Sequence, residues 1–332
     1  MSESAAPWIA AQLQALLAQR GHAWLLQGAS GLGQYELGLG MAQAWLCERP
    51  SAAGACGECA SCHAVAVRTH ADLFVLMPET VMDELGWPLS EKAQKDIDDK
   101  KRKASKQIVI EDMREAVVFS QRTSARGQGK AVLVYPAERM NVVTATALLK
   151  TLEEPPGDVK FVLASEAAHQ LLPTIRSRCL THSMVWPSQR EAIEWLKSQG
   201  VDATAAPELL RAAGGRPADA LRLHAAGRNP KAWGLLPRAM VRGDVGAFTD
   251  WSPPEAVGAL QKLCHDLLAI RCGAAPRFFD PADLPSAGTV ASLTAWSREL
   301  ARTARTVEHP FQPGLMMESL VSRARQALNS RA

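Results

Sequence analysis

The clearest signals in this chain are things it lacks. No apolar run reaches the roughly 18 residues that a membrane-spanning helix requires, so a helical span is excluded. Met1-Ser2-Glu3-Ser4 has no basic n-region and no long apolar stretch behind it, so no secretory leader is expected. Charge of neither sign dominates: 37 Lys and Arg stand against 34 Asp and Glu, a net charge of +3. That balance permits contact with nucleic acid without arguing for it, because a dedicated DNA-binding domain shows a more basic face. No internal repeat is evident. In 332 residues, 47% apolar and 21% charged, there is material for two or three domains and a large core. These features describe a cytoplasmic protein, in which seven cysteines point to metal ligands or buried thiols rather than disulfides.

The most informative absence lies inside a motif. Residues 28–35 read Gly28-Ala29-Ser30-Gly31-Leu32-Gly33-Gln34-Tyr35, the glycine frame of a phosphate-binding loop. In an active loop of this kind, G-x-x-x-x-G-K-[ST], backbone N–H groups cradle the phosphates. The Lys reaches the outer ones, and the small hydroxyl holds Mg²⁺. Here Gln34 replaces the ammonium and Tyr35 replaces the hydroxyl. Each lost charge-assisted contact costs about 1.5–3 kcal/mol, so tight Mg-nucleotide binding is not expected. The strand that should end in metal-holding carboxylates, Ala131-Val132-Leu133-Val134-Tyr135, runs into Pro136-Ala137 instead. Glu138 comes one step late, and Glu111 belongs to another segment.

Periodicity places these motifs. Ile9–Leu17 reads as a helix, His22–Leu26 as a buried strand entering the glycine loop, and Glu36–Leu46 as the helix leaving it. Further strands are expected at Asp72–Met77, Ile108–Ile110, Ala131–Tyr135 and Phe161–Ala164, with helices over Glu111–Gln121 and Val143–Glu153. Strands alternating with helices imply a parallel sheet covered on both faces. Residues 79–106 interrupt the pattern. Acidic Asp83, Glu84, Glu91, Asp96, Asp98 and Asp99 precede a basic run of Lys100, Lys101, Arg102, Lys103 and Lys106, with few apolar residues between them. The segment reads as a solvated, mobile insertion, with nucleic-acid contact as the competing reading. After about residue 186 the strand signals stop. Helices are expected over Gln189–Gln199, Ala206–Ala213, Pro217–Ala226, Pro230–Arg242, Pro254–Cys272, Ala287–Arg305 and Pro313–Ala327, divided at Gly227-Arg228-Asn229-Pro230.

Two constellations carry chemistry. Cys47, Cys56, Cys59 and Cys62 form C-x₈-C-x₂-C-x₂-C. The two-residue spacers let paired thiolates face one tetrahedral ion, and four thiolates leave no open position for catalysis. Structural zinc is therefore expected, with an iron–sulfur cluster or four unrelated thiols as alternatives. Cys179, Cys264 and Cys272 lack such spacing and read as buried small residues. The other constellation is Leu172-Pro173-Thr174-Ile175-Arg176-Ser177-Arg178-Cys179. An Arg at the end of a short helix can be presented at a subunit boundary to stabilise phosphate charge on a neighbour, although a surface Arg or a local ion pair is the commoner role for an arbitrary Arg.

The run Thr146-Ala147-Leu148-Leu149-Lys150-Thr151-Leu152-Glu153-Glu154-Pro155-Pro156, then Phe161-Val162-Leu163-Ala164-Ser165 and Ser177-Arg178-Cys179, closely resembles the AAA+ core of bacterial clamp-loader subunits over essentially the whole chain. With the four-cysteine insertion and the degraded phosphate loop, the chain is similar to the family members that do not bind ATP. The resemblance implies an α/β AAA+ domain with a P-loop-type parallel sheet over residues 1–186, carrying the zinc insertion (47–62) and the charged insertion (79–106). It also implies a three-helix lid over 187–228 and an all-α collar that mediates oligomerisation over 229–332. It places Cys47, Cys56, Cys59 and Cys62 on the zinc ligands and Arg178, within Ser177-Arg178-Cys179, on an arginine finger acting in trans. Gly28, Gly31, Gly33, Gln34 and Tyr35 fall on a phosphate loop that no longer holds a nucleotide. At the second sensor position it puts Ala218 where ATP-binding relatives have Arg, with Arg216 a surface charge on another face. The implied role is a stator in a five-subunit ring beside the gamma/tau and delta subunits, loading the sliding clamp onto primed DNA. Two rivals are an autonomous AAA+ ATPase with a variant loop and a zinc-ribbon DNA-binding regulator. The regulator would need basic residues between Cys56 and Cys62, where there are none.

Overall fold

The computed structural model describes residues 6–307, 309 and 312–330. The leader expectation at Met1–Ser4 lies outside them. The chain divides into two compact units, Met1–Ser188 and Gln189–Ala332. Among the described residues, no helix is long and apolar enough to cross a membrane.

The first unit runs α1 (Pro7–Leu17), β1 (Ala23–Gln27), α2 (Gln34–Leu46), α3 (Ala60–Ala66), β2 (Leu73–Leu76), α4 (Glu79–Glu84), α5 (Glu91–Asp98), α6 (Ile110–Gln121), β3 (Lys130–Val134), α7 (Val142–Glu153), β4 (Val159–Ser165), α8 (Pro173–Arg176) and β5 (Leu180–Ser183). Its five strands form one parallel sheet in the order β2-β3-β4-β1-β5. The central strands are apolar without alternation because helices cover both faces. Ala23 to Leu26 and the whole of β3 are buried. β1 lies between β4 and β5, with Gln27 level with Ser165 on one side and Ser183 on the other. The glycine loop thus leaves the sheet at the carboxyl ends of three strands, where open α/β sheets place their binding crevices.

Three expectations need correction. Ile108–Ile110 is not a strand: Ile108 makes a single parallel bridge to Met140, and Ile110 already opens α6. Glu111 and Asp112 sit in the first turn of that helix, where the helix dipole favours carboxylates, and the helix takes the segment. β5 was not anticipated. Leu180-Thr181-His182-Ser183 is short, mostly polar and half-exposed, and it becomes a strand only by pairing with the edge of β1. Residues 79–106 are not structureless, since they fold into α4 and α5. Ser90 caps α5 through its side chain, and Trp87 and Ala93 are buried.

The second unit contains α9 (Gln189–Ser198), α10 (Ala205–Ala212), α11 (Pro217–Ala225), α12 (Pro230–Arg242), α13 (Pro253–Arg271), α14 (Val290–Thr306) and α15 (Pro313–Leu328), close to the helices expected. Proline opens α11, α12, α13 and α15, where its missing N–H has no helical partner to lose. Two separate apolar clusters hold this unit. One joins α9, α10 and α11 around Leu196, Leu209 and Leu210. The other joins α12 to α15 around Leu260, Leu263, Leu293 and Trp296. Asp266, fully buried on α13, accepts the N–H groups of Arg277, Phe278 and Phe279 and so fixes the loop after that helix.

Candidate functional site

Gly33 caps α2 in the left-handed conformation (φ 96°), and Gly31 is also left-handed (φ 74°), conformations that glycine adopts without strain. The side chains around this loop bond to one another and to its backbone. Gln34 is 2% exposed and turns back into the loop, donating from Nε2 to the Ala29 carbonyl at 2.7 Å. The Leu32 carbonyl accepts the Trp8 indole N–H at 2.9 Å. Tyr35 packs at a tilt against Tyr135 with ring centroids 5.5 Å apart, and its hydroxyl accepts the Trp87 indole N–H at 2.7 Å. Burial, partly offset by that bond, holds the phenol above its usual range. These are the only two tyrosines in the sequence. One stands at the motif position where a small hydroxyl is expected, and the other directly follows β3 (Lys130–Val134).

The carboxylates nearest that strand end are engaged elsewhere. Glu138 accepts from Ser165 Oγ at 2.7 Å and from the Glu166 N–H at 3.2 Å, while Tyr135 donates to Glu166 at 3.1 Å. The charged insertion supplies the third aromatic residue, Trp87, and is itself anchored. Buried Glu79 takes both terminal nitrogens of Arg102, at 2.5 and 2.6 Å, and the Ser105 N–H at 2.7 Å. Together these contacts hold the Glu79 carboxyl below its usual range, with Arg102 the largest contributor. Lys101 pairs with Asp99 at 2.9 Å. Two members of the basic run are therefore committed to neighbouring acids. Nothing in the sequence pattern links Trp87 or Tyr135 to Tyr35; the scarcity of tyrosine was the one available hint.

The four cysteines converge as their spacing implied. Their sulfurs all lie within 4.8 Å of one another, with Cys47–Cys56 at 3.5 Å, Cys47–Cys59 at 3.8 Å and Cys56–Cys62 at 3.9 Å. A regular tetrahedron with metal–sulfur bonds of about 2.3 Å has edges of about 3.8 Å, so this donor set fits a four-thiolate metal site. Backbone N–H groups point at the sulfurs: Arg49 and Cys56 at Cys47, Cys59 at Cys56, and Cys62 at Cys59, all at 3.3–3.4 Å. Such bonds stabilise thiolates and fix their direction. Glu48, next to Cys47, receives both the N–H and the hydroxyl of Ser61 at 3.3 Å and ties the two halves of the loop.

Arg178 follows α8, whose Ile175 is fully buried. Its Nε donates to Glu153 Oε1 at 2.6 Å, its Nη2 pairs with the same oxygen, and its Nη1 donates to the Thr174 carbonyl at 2.8 Å. Ser177 bonds the Thr174 carbonyl as well. Cys179 packs into the sheet core, and burial pushes its thiol up to about 11. In the second unit, Arg216 is not the solvated charge expected. It donates to the Ala213 carbonyl and pairs with Asp219 at 3.0 Å, while Ala218 lies in the first turn of α11.

The family described as "DNA polymerase III, delta subunit" matches residues 8–185, more than half of the chain and nearly all of the unit that holds both constellations. The chain belongs to the DNA polymerase III delta' family. It is 42% identical to DNA polymerase III subunit delta' of Pseudomonas aeruginosa over 212 residues, covering 63% of this chain and 58% of that one. Against subunit delta' of Escherichia coli it is 31% identical over 223 residues, covering 65% and 60%. It is also 31% identical to subunit tau of Escherichia coli over 159 residues, which is 48% of this chain and 21% of that protein. The match thus spans about three fifths of the length of the delta' relatives.

Proposed function

We propose that this chain is a stator subunit of the bacterial DNA polymerase III clamp loader, one that neither binds nor hydrolyses ATP itself. In this reading it sits in a five-subunit cytoplasmic ring beside the gamma/tau and delta subunits. Arg178 reaches the triphosphate held by the adjacent gamma/tau subunit, and the ring sets the sliding clamp on primed DNA. The observation that carries the proposal is a pairing of opposites in one unit: Gln34 and Tyr35, at the motif positions of the Lys and the hydroxyl, are engaged by the Ala29 carbonyl, Tyr135 and Trp87, while a guanidinium stands a third exposed beyond α8. A chain that cannot hold the nucleotide has kept a group suited to stabilising phosphate charge next door.

The four-thiolate site would hold a structural zinc ion, which at four-coordinate saturation braces residues 47–62 and takes no part in chemistry. Residues 187–228 would act as the lid and 229–332 as the collar, which agrees with the two apolar clusters of the second unit.

Reconstitution tests the reading. In a clamp loader assembled with cognate gamma/tau and delta subunits, Arg178→Ala is expected to leave assembly intact and to lower DNA-stimulated ATP turnover about tenfold. That is a smaller loss than the 10³–10⁵ attributed to arginine fingers in GTPases. Unchanged turnover would refute the role of Arg178. Micromolar Mg-ATP affinity with turnover in the isolated chain would favour an autonomous ATPase instead.

A further inference from the structure

We propose that Glu153 is the positioning residue for Arg178, fixing the guanidinium in a pose that leaves part of its fork open to a phosphate oxygen of a neighbouring nucleoside triphosphate. The proposal rests on the reading of Arg178 as a trans-acting group and adds a second residue to that site. A guanidinium has five N–H donors in one plane. Arg178 uses three of them on its own chain: Nε and Nη2 share Glu153 Oε1, and Nη1 donates to the Thr174 carbonyl. Glu153 therefore occupies one edge of the fork, and two N–H groups remain for an incoming anion.

Both anchors are themselves held. Glu153 is the last residue of α7, which is fastened by buried Leu148, Thr151 and Leu152. Thr174 lies in α8, pinned by Ile175 at 0% exposure, and the Arg178 N–H closes that turn on the Ile175 carbonyl at 3.1 Å. Two elements distant in sequence thus hold a long, rotamer-rich side chain that would otherwise sample many directions. Holding a charged group where charge must be met, before that charge arrives, is the preorganisation that makes such groups effective.

A stability role accounts poorly for the pair. Glu153 and Arg178 are 47% and 31% exposed, and ion pairs so open to water add little to folding. An effect on turnover without an effect on melting is therefore the signature to seek.

The test uses the reconstituted clamp loader with ATP and primed DNA, carrying Glu153→Gln, Glu153→Ala, Arg178→Ala or the double variant Glu153→Ala/Arg178→Ala in this subunit. Glu153→Gln and Glu153→Ala are expected to lower kcat about threefold, with KM for ATP and the melting temperature of the chain unchanged. The double variant is expected to be no slower than Arg178→Ala alone, because Glu153 acts only through the arginine. Full turnover in the Glu153 variants beside a slow Arg178→Ala complex would overturn the positioning role and leave the arginine's role standing. Faster turnover in those variants would make Glu153 a restraint instead, and multiplicative losses in the double variant would make it independent; either result overturns the proposal. Unchanged turnover with Arg178→Ala would bring down the reading beneath it.

Discussion

Restoring the motif residues alone should not restore the nucleotide site. The double substitution Gln34→Lys/Tyr35→Thr rewrites the loop to the active pattern, yet the structure predicts a destabilised chain that still binds no Mg-ATP. Tyr35→Thr removes a half-buried ring packed against Tyr135 and strips the Trp87 indole N–H of its 2.7 Å partner. Truncating a fully buried aromatic costs about 3–5 kcal/mol, a half-buried one less, and leaving a buried donor unpaired costs about 1–3 kcal/mol. Gln34→Lys forces an ammonium into a position 2% exposed, beside the Ala29 carbonyl that the amide already serves. Even a well-folded double variant meets Pro136-Ala137 where the metal-holding acid should stand. Thermal melting and calorimetric titration with Mg-ATP read both halves of the prediction: a fall in stability of about 2–3 kcal/mol and no binding at millimolar nucleotide. If the double variant took up Mg-ATP with micromolar affinity, the claim that aromatic packing and a missing acid keep the site closed would be refuted.

Two further perturbations probe other parts of the chain. Cys59→Ser breaks the thiolate set, so metal analysis should fall from one ion per chain to a small fraction, and limited proteolysis should open residues 47–62 first; a full complement of metal would contradict four-ligand coordination. Lys262 is held down to about 8, chiefly by burial, as its ammonium sits over the Trp233 and Phe278 rings and donates to the Ala212 carbonyl. From about pH 8 up to the ordinary lysine range Lys262 then holds its proton more tightly in the unfolded chain than in the folded one, so its own contribution to stability should rise with pH in that window by on the order of 3 kcal/mol, whatever the buried thiols add. Lys262→Met should remove that rise, and denaturant melts at pH 7.5 and 10.5 compare the two chains.

Much of this was legible because local chemistry demanded it. The cysteine spacing fixes a tetrahedral set within sixteen residues, and the helices of the second unit announce themselves through proline starts and apolar spacing. β4 and β1 carry continuous apolar runs, Phe161–Ala164 and Ala23–Leu26, because both faces are covered. What stayed hidden depends on partners far away in sequence. β5 has one apolar side chain in four and exists only because β1 offers an edge to pair with. The charged insertion reads as solvated by composition, yet Trp87 and Glu79 are buried in it, and Trp87 bonds to a residue 52 positions earlier. Glu153 lies 25 residues from Arg178, in a run whose regular spacing suggests only a helix. Ile108–Ile110 misled in the other direction: three β-branched residues suggest a strand, but the acids behind them start a helix.

The glycine frame itself outlasts its ligand for a reason that has nothing to do with phosphate. A Cβ at Gly28 would lie 2.7 Å from the Met184 side chain just beyond β5, and one at Gly33 would lie 2.5 Å from Ile9 on α1. Gly33 also needs its left-handed backbone to start α2. Close packing of a strand end and a helix against the loop therefore requires glycine at these positions whether or not a nucleotide is present. The residues that report on ligand chemistry are the two that follow, Gln34 and Tyr35, because no packing constraint of the backbone dictates a Lys or a small hydroxyl there. Glycines in such a loop speak for the fold, and the next two side chains speak for the fuel.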